Sequence, residues 1–324
     1  MKQIRIVLNP LPSSKNKPTI VFRCDGNLQT GLGHISRSLG LAEALVEANC
    51  ECLFLGRFDD AIRRRLESAG MRSELLEADS WSRNDATALT NIAVQADALG
   101  IVIDSYLLGP EYLKLVQLSR IPALAIDDFA ELSHYPCAAV LNFTCRAECL
   151  SYPRDIGRRF LGLAWFPARR NLRRLRARGT RPSDRVRQVL VAAGGSDAYD
   201  LVTPVLDSLL ACDRTLSVRV VVTKEQAVRP ALLAQLAKFD GETLAVSDLP
   251  DLAGELAFAD LCISGAGLTK YEGAFVGVPT GVLSQNVGQA KDAARFAHLG
   301  LGVDLGPASE IGRASCRERV YHPV

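Results

Sequence analysis

One titratable group stands inside a glycine-rich turn in the run Val21-Phe22-Arg23-Cys24-Asp25-Gly26-Asn27-Leu28-Gln29-Thr30-Gly31-Leu32-Gly33-His34-Ile35-Ser36-Arg37. The apolar start of the run reads as a strand over 19–23, and its end as a helix that opens at Gly33 or His34. Leu39, Leu41, Ala42, Leu45 and Val46 continue that helix with the spacing of one buried face. Such a turn leaves backbone N–H groups free, and the helix dipole adds partial positive charge, so it is suited to an anion. The same dipole disfavours imidazolium in the first helical turn. His34 therefore reads as a neutral imidazole able to act as a general base. The competing reading is a loop histidine with a single hydrogen bond.

Further groups fall at the ends of apolar runs: Asp25, Asp104, Ser105, Tyr106, Asp127, Asp128 and Asn142. Singly, each is explained as a cap on the next helix or turn; converging on one sheet edge, they would form a site. Two more glycine turns occur later, Gly194-Gly195-Ser196-Asp197 and Ser264-Gly265-Ala266-Gly267-Leu268-Thr269. Neither fits the G-x-G-x-x-G or the P-loop pattern. A pair of them, each joining a strand to a helix, suits a diphosphate held by N–H groups. No acids with metal-ligand spacing lie nearby, so neither metal nor cofactor is expected. Glu272, one turn into the following helix, is placed to accept from ribose hydroxyls, or simply to favour the helix dipole.

These groups need strands and helices to hold them, and the pattern supplies both. In the first half, strands are expected over 19–23, 51–55, 75–76, 100–104, 122–128 and 138–142. The helices between them are expected to open at His34 and to cover 59–69, 85–99 and 110–118. Residues 152–182 break the pattern with Arg, Gly and Pro. A second alternating unit follows, with strands over 188–193, 217–223, 244–246, 260–264 and 277–283. Its helices are expected through 205–210, over 230–238, 249–258 and 289–299, and after the turn at Gly267. Such alternation implies parallel sheets covered by helices, with ligands at the carboxyl ends of the strands. The domain reading is an arm or upstream mis-start over 1–18, an α/β domain over 19–165, a linker over 166–187 and a second α/β domain over 188–309. The run Glu310-Ile311-Gly312-Arg313-Ala314-Ser315-Cys316-Arg317-Glu318-Arg319 resembles a translated sequencing adapter, so residues 310–324 are set aside.

Composition excludes several classes. A length of 324 residues fits two domains. A net charge of +2 is too small to point to nucleic acid, and the basic run 169–187 reads as an exposed inter-domain segment. No apolar stretch approaches the ~20 residues of a membrane span. Nine cysteines without a C-x-x-C pair argue against a zinc or redox motif and fit a reducing cytoplasm.

The segments Arg23-Cys24-Asp25-Gly26-Asn27, Gly31-Leu32-Gly33-His34-Ile35-Ser36-Arg37, Ile103-Asp104-Ser105-Tyr106, Ile126-Asp127-Asp128, Leu141-Asn142, Gly194-Gly195-Ser196-Asp197 and Ile263-Ser264-Gly265-Ala266-Gly267 carry a resemblance. In order, they look like the UDP-2,4-diacetamido-2,4,6-trideoxy-β-L-altropyranose hydrolases of pseudaminic acid biosynthesis. Spore-coat polysaccharide proteins are their relatives, and MurG-type glycosyltransferases more distant ones. The G-x-G-H-x-x-R element is the specific part. The resemblance implies a GT-B fold, two Rossmann-like domains facing a central cleft that holds the UDP-sugar. It implies that His34 activates water, with Asp25 and Tyr106 near the sugar. Arg23, Gly31, Gly33, Arg37 and Asn142 would bind on the same side. Gly194, Gly195, Ser196, Asp197, Ser264, Gly265, Ala266, Gly267, Leu268, Thr269, Glu272 and Gln285 would bind the nucleotide. The implied protein is an inverting, metal-independent hydrolase, a cytoplasmic monomer with a small-molecule substrate. Two rivals stand beside it: a glycosyltransferase with an alcohol acceptor, and a sugar-nucleotide binding protein without catalysis. Near Gly265 to Tyr271 this chain has Gly-Ala-Gly and Lys-Tyr where a hydrolase of this family carries serines and an asparagine.

Overall fold

Short apolar runs alternating with amphipathic stretches build two wholly parallel sheets in the computed structural model, which describes residues 17–26, 32–154, 156–179, 185–193 and 201–311. The first is formed by β1 (Thr19–Cys24), β2 (Glu51–Gly56), β3 (Arg72–Leu75), β4 (Ala98–Asp104), β5 (Ala123–Ile126), β6 (Ala139–Asn142) and β7 (Arg158–Leu161). Its helices are α1 (Gly33–Glu47), α2 (Asp60–Ser68), α3 (Arg83–Gln95) and α4 (Pro110–Gln117). The strand order is β3-β2-β1-β4-β5-β6-β7. Helix α5 (Arg170–Arg178) leads to the second unit. That unit contains β8 (Gln188–Ala192), β9 (Ser217–Val221), β10 (Thr243–Val246), β11 (Leu261–Gly265), β12 (Thr280–Ser284) and β13 (Val303–Pro307), in the order β10-β9-β8-β11-β12-β13. Its helices are α6 (Val202–Cys212), α7 (Lys224–Ala227), α8 (Pro230–Leu236), α9 (Ala253–Phe258), α10 (Thr269–Val276) and α11 (Val287–His298).

The first sheet is buried on both faces, as parallel sheets are. Phe22 and Phe54 stack at 4.8 Å in the layer shared with Ile35 and Leu39 of α1, while Val21, Leu53 and Leu55 enter the opposite layer with Leu89 and Leu113. That division is the two-residue period of a strand. Local chemistry sets the helix ends. Asp59 caps α2 by accepting from the Ile62 N–H at 2.8 Å, and Gly70, with φ +74°, takes the left-handed position after it. Both sheets reverse their winding beside their first strand, between β1 and β4 and between β8 and β11. The carboxyl ends of those strands are where such sheets bind ligands.

The structure departs from the sequence reading in definite places. Helix α3 stops at Gln95, short of 99, because Asp97 takes φ +48° and Leu99 already belongs to β4. The third strand covers Arg72–Leu75 and leaves out Leu76. The irregular stretch 152–182 contains an edge strand, β7, and helix α5. Strand β13 and the short α7 went unexpected. The basic segment is not simply exposed. Arg169 is buried against Glu43, and Arg170 and Arg173 both reach Glu47 at 2.7 Å, so α5 is fastened to α1 by charge. Residues 1–16 of the expected arm and 312–324 of the excluded tail lie outside the described residues. Among the described residues, no helix is long and apolar enough to cross a membrane.

Candidate active site

The centre of the site is a buried carboxylate. Strand β4 ends on Asp104, directly beside Cys24 at the end of β1, and the first turns of α1 present His34, Arg37 and Ser38 to it. Asp104 accepts from His34 Nδ1 at 2.6 Å, from Arg37 Nε at 2.8 Å and Nη2 at 2.6 Å, and from Ser38 Oγ at 3.1 Å. Burial raises its pKa, but the Arg37 guanidinium and His34 more than offset that and hold the carboxyl well below the usual range. An ionised carboxylate only accepts, so His34 Nδ1 carries the proton of this bond, and in the neutral imidazole the lone pair is then on Nε2. Arg37 Nη2 also lies 3.1 Å from Nδ1, but a protonated Nδ1 has no lone pair with which to accept from it. The arrangement is that of an oriented general base: one ring nitrogen is fixed by a carboxylate and the other is left to take a proton.

Tyr106 closes one side of the imidazole, edge to face at 4.3 Å between ring centres. Its hydroxyl donates to Asp128 Oδ2 at 2.9 Å, and Arg37 Nη1 donates to the same oxygen at 2.6 Å. The ring packs on Phe129 at 5.1 Å. Desolvation of the hydroxyl end, then the Asp128 charge, pushes the Tyr106 phenol above its ordinary pKa, while much of the ring stays exposed. The hydroxyl is therefore a hydrogen-bonding group here and not an acid.

Not every sequence candidate faces the cleft. Arg23 is completely buried. It donates to Asp85 from Nε at 3.0 Å and Nη2 at 2.5 Å, donates to Asp25 from Nη1 at 2.6 Å, and lies under Trp81 at 4.1 Å. The expected substrate contact is thus replaced by a supporting role, in which Arg23 holds Asp25 at the sheet edge. Asp25 also accepts from the Arg57 N–H at 2.8 Å. Asn142 is likewise buried. It donates to Tyr152 OH at 2.9 Å and accepts from the Thr144 N–H at 2.9 Å, closing the turn after β6 instead of meeting a sugar.

A cavity of about 560 Å³ opens between the two domains. Gly33 and Ser36 of α1 and Arg65 of α2 line it on one side, and Thr223, Gly265, Gly267, Leu268, Thr269 and Glu272 on the other. At Gly265 a side chain is excluded, since a Cβ would stand 2.8 Å from the Ala193 carbonyl oxygen on the neighbouring chain segment. Ala266 is buried behind the turn, and the Ser264 hydroxyl is buried with no partner among the described residues. The Gln285 side chain stands near Gly265, and the Gln285 backbone N–H donates to Gln289 Oε1 at 2.9 Å. Glu272 is 4% exposed, and burial, then the Asp251 charge, pushes its pKa up to about 7 against Arg169 and Arg65. Gly31, Gly194, Gly195, Ser196 and Asp197 lie outside the described residues.

Asp104 and Asp128 were visible only as strand-end acids, with no role attached. Their signal was position: each follows an apolar run, and β4 is the strand next to the switch point. Arg65, which donates across the cavity to the Leu249 carbonyl, had no signal beyond being one charge in a basic helix.

No family model matches the chain. It is 24% identical over 278 residues to an uncharacterized protein of Methanocaldococcus jannaschii, covering 82% of this chain and 56% of that protein. It is 32% identical over 125 residues to the spore coat polysaccharide biosynthesis protein SpsG of Bacillus subtilis, covering 37% of this chain and 36% of that one. The chain thus spans about half the length, or less, of these curated relatives. Among solved structures, it is similar to MurG of Acinetobacter baumannii, with a TM-score of 0.59, 15% identity and 91% and 87% of the two chains covered. It also resembles the UDP-GlcNAc 2-epimerase of Neisseria meningitidis bound to UDP-GlcNAc, with a TM-score of 0.55, 12% identity and coverage of 90% and 89%. The fold is therefore GT-B-like: two Rossmann-like domains, of seven and six parallel strands, facing a cleft.

Proposed function

We propose that the chain is a UDP-sugar hydrolase that cleaves a UDP-linked 2,4-diacetamido-2,4,6-trideoxy sugar to UDP and the free sugar, in nonulosonic acid biosynthesis of the pseudaminic type. The observation that carries the reading is the His34–Asp104 pair at 2.6 Å, at the start of α1, where the neighbouring Gly33 and Ser36 line the cavity between the domains. Pure binding does not call for an imidazole with one nitrogen fixed by a buried carboxylate; proton abstraction does. The ordered motif, the partial similarity to SpsG and the GT-B-like fold support the same class.

The mechanism follows from these groups. His34 Nε2 takes a proton from a water aligned with the anomeric carbon. The water oxygen bonds to that carbon as the bond to the diphosphate oxygen breaks, which inverts the centre. UDP leaves with the bonding pair, and N–H groups at the start of α10 stabilise its charge. Asp104 and Arg37 keep the imidazole oriented, and Tyr106 with Asp128 shapes its flank. Glu272 accepts from the ribose hydroxyls. We place the reaction in the cytoplasm, with the chain as a monomer; Cys24, Cys50, Cys52, Cys145, Cys149 and Cys262 are free thiols.

One feature favours a second reading, a glycosyltransferase of the same fold. Tyr106, which packs on the imidazole, is exposed together with Phe129 against its ring and the adjacent Leu107, an apolar surface on which an alcohol acceptor would rest. A panel of UDP-diacetamido sugars, incubated without acceptor and followed for UDP release, separates the two. Release at catalytic rates supports hydrolysis. No release from any donor, with release restored by an alcohol acceptor, refutes it.

A further inference from the structure

Lys270 is a buried cation that the imidazole centre does not employ. It lies in the first turn of α10, 1% exposed. Its ammonium donates to the carbonyls of Ala266 and of Gly267, the second at 3.2 Å, and pairs with Asp292 Oδ2 at 2.5 Å. An ammonium has three protons, and these three acceptors take all of them. Asp292 is itself anchored at the domain interface. The Tyr271 hydroxyl donates to it at 3.2 Å, and the Cys145 N–H, from the first domain, donates to that hydroxyl at 3.2 Å.

The consequence lies on the other side of the turn. A trans peptide unit is planar, and its C=O and N–H point in opposite directions. Drawing the carbonyls of Ala266 and Gly267 inward turns the N–H groups of Gly267 and Leu268 away from Lys270. Neither N–H has a hydrogen-bond partner among the described residues. Gly267 and Leu268 both line the cavity, whereas Lys270 does not. With the ammonium absent, the two peptide planes would be free to rotate and present carbonyl oxygens, which repel an anion.

We propose that Lys270 is a positioning residue that locks the 264–269 turn with two N–H groups aimed into the cleft, for the phosphate oxygens of a nucleoside diphosphate. The inference rests on the sugar-nucleotide reading above. It assigns to Lys270 a function that touches no ligand: the buried charge acts through the backbone.

The test is to titrate UDP and uridine into three proteins, with NMR detection for the weaker uridine. They are the wild type, Lys270→Met, and Lys270→Met combined with Asp292→Asn. Met keeps the length of the stem without the charge, and the double variant also removes the carboxylate left unpaired. UDP affinity should fall about tenfold in both variants, the order expected when hydrogen bonds to a charged group lose alignment. Uridine affinity should stay at the wild-type value, because the nucleoside does not use the turn, and unchanged uridine binding also reports an intact fold. Wild-type UDP affinity in the double variant, or equal weakening of uridine and UDP, overturns the role given to Lys270. A wild-type chain that binds neither UDP nor uridine overturns the sugar-nucleotide reading itself.

Discussion

Replacing Glu272 by Gln should stabilise the folded chain above pH 7 and change it little near pH 5. The carboxyl is 4% exposed, and burial, then Asp251, raises its pKa from 4.5 to about 7. The folded state therefore holds this proton more tightly than the unfolded chain does. Stability falls as pH rises from about 4.5 to about 7, where only the unfolded chain readily ionises the group, and the full penalty persists above that window. A difference of about 2.5 in pKa, at ~1.36 kcal/mol each, gives about 3 kcal/mol at pH 8 and less than about 1 kcal/mol at pH 5. Gln has nearly the same shape and cannot ionise. Glu272→Gln should thus melt about 5–10 °C above the wild type at pH 8 and within about 2 °C of it at pH 5. Differential scanning fluorimetry of both proteins across this range reads the effect. A variant no more stable than the wild type at pH 8, or one whose gain is larger at pH 5, refutes the reasoning. The substitution should also weaken UDP binding, since the amide offers the ribose hydroxyls no charge.

Three further outcomes are expected. His34→Asn should lower turnover by about 10²- to 10⁴-fold while UDP affinity stays near the wild-type value; steady-state kinetics beside calorimetry checks both, and near-normal turnover rules out the base. Arg23→Met should destabilise the chain by about 3–5 kcal/mol in urea unfolding, because Asp85 and Asp25 lose their buried counter-charge; a neutral result would mean that the pairing holds nothing together. Gly265→Ala should cost about 1–3 kcal/mol and weaken UDP binding, because its Cβ would meet the Ala193 oxygen at 2.8 Å and push the turn aside; unchanged UDP affinity would remove this turn from the site.

Much of the fold was legible because the signals were local. Apolar runs such as 100–104 are strands buried on both faces, and glycine or proline marks their ends: Gly70 behind α2, Pro110 at the head of α4. The stretch 152–182 was illegible for the same reason. Its helix α5 is nearly all arginine on one side, and it becomes a packed element only through distant partners, Glu43 and Glu47 for its arginines and Leu256 and Val276 for the buried Leu172. The end of α3 depended on Asp97 adopting a left-handed conformation, which aspartate does only in some contexts.

His34 in its glycine turn, the strand-end acids and the Gly265 turn belong to the sequence alone, since residue type, spacing and helical period mark them without any partner. Which acid serves the histidine belongs to the tertiary structure. Asp25 stands nine residues before His34 and Asp104 seventy after it, yet Asp104 receives the ring, because strand order places β4 beside β1 and Arg23 holds Asp25 away. The burial of Arg23, Asn142 and Lys270 was decided in the same way. Arg23 reads as a ligand contact until the folded chain supplies its counter-charge, and the counter-charges, Asp85 for Arg23 and Asp292 for Lys270, come from elements that only packing brings near.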